Sequence, residues 1–339
     1  MDRETVREVD RVPHGSSDDP TVLDFSANTN PLVPEGVESV YREAFDTARR
    51  YTPEPPTAFR EAAAEYVDCD PERVVPTPGG LAAIRRVVEL AVREGDTALV
   101  PFPSFGEYAR EVRLQGGTPE FVPAADVLSA DPSGHALAVV CHPNNPTGRA
   151  YDHDALLAFA ERCREAGTPL LVDEAFLGFT DRPSLAGTQG VVVARSLTKL
   201  FGLPGIRAGF AVGDAEWTDL LERARRPWNV SAPALATGAY CMAQREFVRK
   251  TRARVDGERE RLRGALAERF VVHDSDAPYL LLDVGDRDPQ ALCERALREG
   301  IALRDATTFR GLDSHVRVAV RLPAENDRLL AVLSEVTDG

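Results

Sequence analysis

Lysine is nearly missing from this chain: among 40 Lys+Arg residues in 339, only Lys199 and Lys250 are lysines. Net positive charge is missing too, because 54 Asp+Glu leave a formal charge of −14. A surplus of that sign repels nucleic-acid phosphates and anionic membrane surfaces at long range, so neither is expected as a partner. An acidic, lysine-poor surface also suits salt adaptation, although arginine-favouring nucleotide composition gives the same pattern. The five cysteines, Cys69, Cys141, Cys163, Cys241 and Cys293, include no Cys-x-x-Cys pair. A disulfide framework or structural zinc is therefore not expected, and they read as small buried thiols. No run approaches the ~20 apolar residues of a membrane span. The charged start MDRETVREVDRVPHG has no apolar signal core, which makes the cytoplasm the expected compartment. Neither G-x-G-x-x-G nor G-x-x-x-x-G-K-[ST] occurs, which disfavours dinucleotide and P-loop chemistry. His142, His153 and Cys141 have no ligand-set spacing, so no metal is expected.

What is present is an α/β pattern too long for one hydrophobic core. A polar arm over 1–30 precedes a large domain over 31–240 and a smaller one over 241–339. Near-continuous apolar runs at 97–100, 136–141, 169–172, 190–194 and 208–212 predict strands of a mostly parallel sheet buried on both faces. Helices are predicted over 80–93, 104–114 and 153–165, and one long solvated helix over about 233–269 links the two units. Strands at 278–284, 301–304 and 316–320 and helices at 289–299 and 324–336 build the second domain.

The chemistry concentrates in VVVARSLTKLFGLPGIRAGF, Val191 to Phe210, where Lys199 sits in an apolar stretch three residues after Ser196. A buried ammonium is costly, so such a lysine is paired, deprotonated or covalently used, and only a neutral amine attacks a carbonyl. HPNNPTG, His142 to Gly148, follows one strand, and LLVDEAFLGF places Asp173 at the carboxyl end of another. Ligands of open α/β sheets bind beyond those strand ends, so Asn145, Asp173, Ser196 and Lys199 are candidates for one crevice.

The blocks FSANTNPL, RYTPEPP, TPGGLAAI, PFPSFGEY, HPNNPTG, VDEAF, SLTKLFGLPGIRAGF and HVRVAVR, in this order, resemble the fold-type I pyridoxal-phosphate (PLP) enzymes of the class I/II aminotransferase group. The resemblance implies a large domain with a mostly parallel central sheet, a smaller C-terminal α/β domain, and PLP as cofactor. Lys199 resembles the Schiff-base lysine, Asp173 the partner of the pyridinium nitrogen, and Asn145 a donor to the phenolic oxygen. Backbone N–H groups of Gly79, Gly80 and Leu81, helped by Ser196 and Arg207, would cradle the cofactor phosphate, and Phe105 would stack on the ring. Tyr51 resembles a tyrosine that reaches the neighbouring subunit's phosphate, which implies a homodimer with shared sites. Phe176 stands where relatives commonly have tyrosine, and the phosphate loop reads Pro78-Gly79-Gly80-Leu81 where many have serine or glutamate.

Within the group, the sequence resembles histidinol-phosphate aminotransferases and the L-threonine O-3-phosphate decarboxylases of cobalamin biosynthesis. Both kinds act on phosphorylated amino compounds, which implies substrate-binding residues among Asn30, Arg304, Arg317 and Arg321. Phe176, DFSANTNPL, and Arg321 within GLDSHVRVAVR favour decarboxylation over transamination of histidinol phosphate with 2-oxoglutarate. Ser196-Leu197-Thr198-Lys199 also matches the Ser-x-x-Lys of serine acyl-transfer hydrolases, but the required Ser-Asp-Asn and Lys-Thr-Gly companions are missing. A non-enzymatic ligand-binding module would need an effector domain for which no length remains.

Overall fold

The computed structural model describes residues 3–338. Its main sheet has seven strands: β1 Val74–Thr77, β2 Thr97–Phe102, β3 Thr118–Pro123, β4 Leu137–Cys141, β5 Leu170–Asp173, β6 Val191–Ser196 and β7 Gly209–Val212. Their spatial order is β1-β7-β6-β5-β4-β2-β3. The five strands from β6 to β3 pair in parallel, whereas β7 runs antiparallel to both neighbours. The apolar runs become strands because alternate residues fill two separate cores. Ala138 and Val140 of β4 point into one, Leu137, Val139 and Cys141 into the other. β1 and β3 were not expected, since Pro76 interrupts VVPT and prolines bracket the core of TPEFVP.

The second sheet contains β8 Val271–Val272, β9 Tyr279–Asp283, β10 Arg304–Asp305 and β11 His315–Ala319, ordered β10-β11-β9-β8 and antiparallel throughout. The strand expected over 301–304 is divided. Ile301–Ala302 pairs in parallel with Leu23–Asp24, while β10 pairs with β11. Phe25 continues the first pairing, donating to Ala302 O and accepting from Ala319 N–H, so this end of the expected arm is stitched to the C-terminal unit.

The long linking helix is in fact two, Ala232–Met242 and Arg245–Leu266. Gln244 leaves the helical region (φ −83°, ψ 61°), and its side chain donates to Tyr240 O, capping the first helix. Each helix then buries its own face. The first packs on Val37–Thr47 and Thr57–Val67, and the second buries Val248, Thr251, Val255, Leu262 and Leu266, so it is only half solvated. Among the described residues no helix is long and apolar enough to cross a membrane.

Candidate active site

The carboxyl ends of β4, β5 and β6 and the start of helix Gly80–Ala91 open on a cavity of about 320 Å³. Asp173, the last residue of β5, is 5% exposed. Its Oδ2 accepts from Tyr108 Oη at 2.6 Å and its Oδ1 from Ala175 N–H at 3.0 Å. Burial nevertheless pushes its pKa up, with the Tyr108 hydrogen bond opposing that shift. Tyr108 had escaped notice in the sequence. It lies one helical turn beyond Phe105, which lines the cavity, and the two rings meet edge to face at 5.6 Å.

Lys199 reaches the same cavity from the turn after β6. It has no ion-pair partner among the described residues, and its pKa falls to about 8, mainly through burial and further through the cations Arg317 and Arg207. The helix at Gly80 begins from Gly79 with φ 90° and no side-chain cap, so its first N–H groups remain available. A Cβ on Gly79 would stand 2.8 Å from Arg207 Nη2, and one on Gly80 would stand 3.1 Å from Ser196 Cβ. Arg207 itself adopts φ 59°, a conformation that a side chain tolerates only when its surroundings hold it. Ser196 and Thr198 hydroxyls lie 2.9 Å apart beside this cradle.

Two more arginines form the opposite wall. Arg304 and Arg317 are cross-strand neighbours on β10 and β11, 9% and 5% exposed, with no carboxylate at ion-pair distance among the described residues. Arg317 donates to Asn145 Oδ1 at 2.6 Å and Ser26 O at 2.7 Å, while its Nε lacks a partner. Burial lowers its pKa to about 10. Arg304 donates to Pro13 O and Thr308 Oγ1, both at 2.8 Å. Val12 to Gly15 roof the cavity, with Val12 against Gly106 and His14 Nε2 3.1 Å from Glu107 Oε1. That roof was not anticipated; only the short PHG turn inside the polar arm hints at it.

Residues 20–333 match the family Aminotransferase class I and II. The chain belongs to that family. It is 31% identical to the histidinol-phosphate aminotransferase of Halobacterium salinarum, over 98% of this chain and 96% of that protein. It is also 31% identical to the threonine-phosphate decarboxylase of Salmonella typhimurium, over 94% of this chain and 92% of that protein. In fold it is similar to the histidinol-phosphate aminotransferase of Clostridium acetobutylicum, with a TM-score of 0.85 at 23% identity, over 94% of this chain and 99% of that one.

The cofactor of this aminotransferase-family protein is pyridoxal 5'-phosphate, and the donor set fits it. Gly80, Leu81, Ser196 and Arg207 line an anion cradle, whereas Gly79 departs from expectation: its N–H is spent on Thr77 O at 2.8 Å, and its part is to turn the chain at φ 90° and leave room for Arg207, which a Cβ would crowd. Lys199 offers an amine of lowered pKa, and Asp173 a buried carboxylate. Asn145, its Oδ1 taken by Arg317, keeps its Nδ2 as a donor. Phe176 lines the cavity without a hydroxyl to give.

Three expected site residues lie elsewhere. Arg321 is outside the cavity: it pairs with Glu325 Oε1 at 3.0 Å, donates to Asp24 O, and covers the Phe25 ring. β11 ends at Ala319, so Arg321 does not share the inward face of Arg317. Asn30 is also off the cavity, with its amide occupied by Leu200 O, Thr251 Oγ1, Arg254 and Leu32 N–H. Asn28 faces the cavity instead, 4% exposed and with its Oδ1 unpartnered. Tyr51 is 79% exposed and stacked on Trp228 at 4.3 Å, away from its own chain's cavity.

Proposed function

We propose that this protein decarboxylates L-threonine O-3-phosphate, releasing CO2 and (R)-1-amino-2-propanol phosphate. One observation carries this reading: Arg304 and Arg317 sit side by side in the cavity wall, buried and without carboxylate partners. Two cations held out of water favour a substrate with two anionic groups, such as a carboxylate and a phosphate. Histidinol phosphate carries one, whereas its co-substrate 2-oxoglutarate carries two carboxylates, so the assay below is what separates the two reactions. Arg321 lends no support, since Glu325 already neutralises it.

When bound, PLP supplies an electron sink for the pair left at the substrate's α-carbon. The chain's residues do the remaining work. Asp173, fixed by Tyr108 and Ala175 N–H, holds a proton at the ring nitrogen. Lys199, its pKa lowered to about 8, would hold the cofactor through the neutral fraction that this shift provides near pH 7, and its amine would carry a proton to the α-carbon. Arg304 and Arg317 would anchor the substrate at two points and so fix the orientation of its α-carbon bonds. Val12 to Gly15 line the cavity from the N-terminal arm and would cover bound substrate there. The exposure of Tyr51 and of Trp228, on which it stacks, supports a homodimer in which Tyr51 reaches the neighbour's cofactor phosphate.

The test is to give the purified protein L-threonine O-3-phosphate and measure CO2, then histidinol phosphate with 2-oxoglutarate and measure glutamate. CO2 from the first mixture supports the proposal. Glutamate from the second with no CO2 from the first rejects it in favour of transamination, which the 31% identity to the Halobacterium salinarum protein keeps in play.

A further inference from the structure

Behind the cavity wall lies a side chain that none of the roles above uses. Tyr279, the first residue of β9, is fully buried and does not line the cavity. Its hydroxyl donates to Asn144 O at 3.0 Å, gripping the peptide group that leads into Asn145. Its ring lies under the Arg317 guanidinium, 5.2 Å from centroid to Cζ. Phe176 meets the same ring edge to face at 5.1 Å. One residue thus touches the backbone before Asn145, the guanidinium that bonds the Asn145 amide, and the aromatic ring on the cofactor side.

We propose that Tyr279 is a positioning residue, which aligns Asn145 toward the cofactor through its hydroxyl and seats Arg317 toward the substrate through its ring. The two functions separate because they use different parts of one side chain. Without the hydroxyl, Asn144 O keeps only the Gly148 N–H from within its own turn and loses its tie to β9, so the HPNNPTG segment gains freedom where Asn145 must point. Without the ring, Arg317 loses a π face in a desolvated site and keeps only Asn145 and Ser26 O. The substrate half of this inference rests on the decarboxylase reading; the cofactor half does not.

Two variants test it. In Tyr279→Phe holoenzyme without substrate, the pH midpoint of the bound cofactor's visible band moves up, by roughly half a unit, because a well-placed donor favours the deprotonated oxygen and that donor is now looser. The kcat for CO2 release falls about fivefold while KM changes less than about twofold. In Tyr279→Leu, KM for L-threonine O-3-phosphate rises at least about tenfold, because the seat of Arg317 is gone. An unchanged midpoint together with unchanged kcat in Tyr279→Phe overturns the proposal, even if the variant melts earlier, since a merely structural tyrosine moves only stability. The spectral titration needs no substrate, so it decides the role of Tyr279 even if the parent protein releases no CO2. Should Tyr279→Leu fail to fold, Tyr279→Phe alone settles the hydroxyl.

Discussion

Lys199→Met is expected to make the cofactor-free protein more stable. Burial and two neighbouring arginines bring the Lys199 amine from 10.5 to about 8. The unfolded chain therefore binds this proton more tightly than the folded one, and the folded state is penalised wherever the amine must be charged. The penalty is fully present below pH 8 and fades as pH rises to 10.5. At 1.36 kcal/mol per unit, it amounts to about 3 kcal/mol at pH 7. Methionine has a similar length and no charge, so it removes this cost and keeps most of the packing. Urea unfolding of both stripped proteins at pH 7 should show the variant ahead by roughly 2–3 kcal/mol, and the gap should close almost completely by about pH 10.5. A variant less stable at pH 7, or a gain indifferent to pH, would refute the burial argument and with it the case for a neutral amine.

Other consequences separate residues that the sequence alone groups together. Arg304→Met should raise KM for the phosphorylated substrate by at least about tenfold in steady-state assays, because a charged hydrogen-bond donor is lost. Arg321→Met should leave KM within about twofold and cost at most about 1 kcal/mol in urea unfolding, since its partner Glu325 is only partly buried. Glu174→Ala should destabilise by about 3–5 kcal/mol, because Arg195, 2.9 Å away and 6% exposed, is left as a buried charge without its carboxylate. Gly79→Ala puts a side chain at φ 90° and against Arg207, so cofactor affinity measured by absorbance titration should fall about tenfold or more.

The strands around the site were legible because a parallel sheet covered on both faces leaves near-continuous apolar runs, as in VVVARS and LLVD. β1 and β3 were hidden by proline, which backbone pairing at the sheet margin tolerates but composition disfavours. The break at Gln244 left no mark, since neither Ala243 nor Gln244 disfavours a helix; only packing on different partners bends the chain there. Lys199, Asp173 and Asn145 could be placed because each lies at or just beyond the carboxyl end of a strand. Two substrate residues were misplaced for a different reason. In FSANTNPL the two asparagines are chemically alike, and only the tertiary fold turns Asn28 inward while tying Asn30 to Leu200 and Arg254. Alternation along HVRVAVR would put Arg317 and Arg321 on one face, but pairing stops at Ala319 and Arg321 turns to Glu325. Tyr108 and Tyr279 act through contacts 65 and 135 residues away in the chain, to Asp173 and Asn144, which no local pattern encodes.

The scarcity of lysine makes the central claim open to a two-way test. Borohydride reduction of the holoenzyme followed by peptide mass mapping should place the pyridoxyl group on Lys199, the buried amine of the cavity. Label on Lys250, the exposed partner of Glu246, or on neither lysine, would contradict the account.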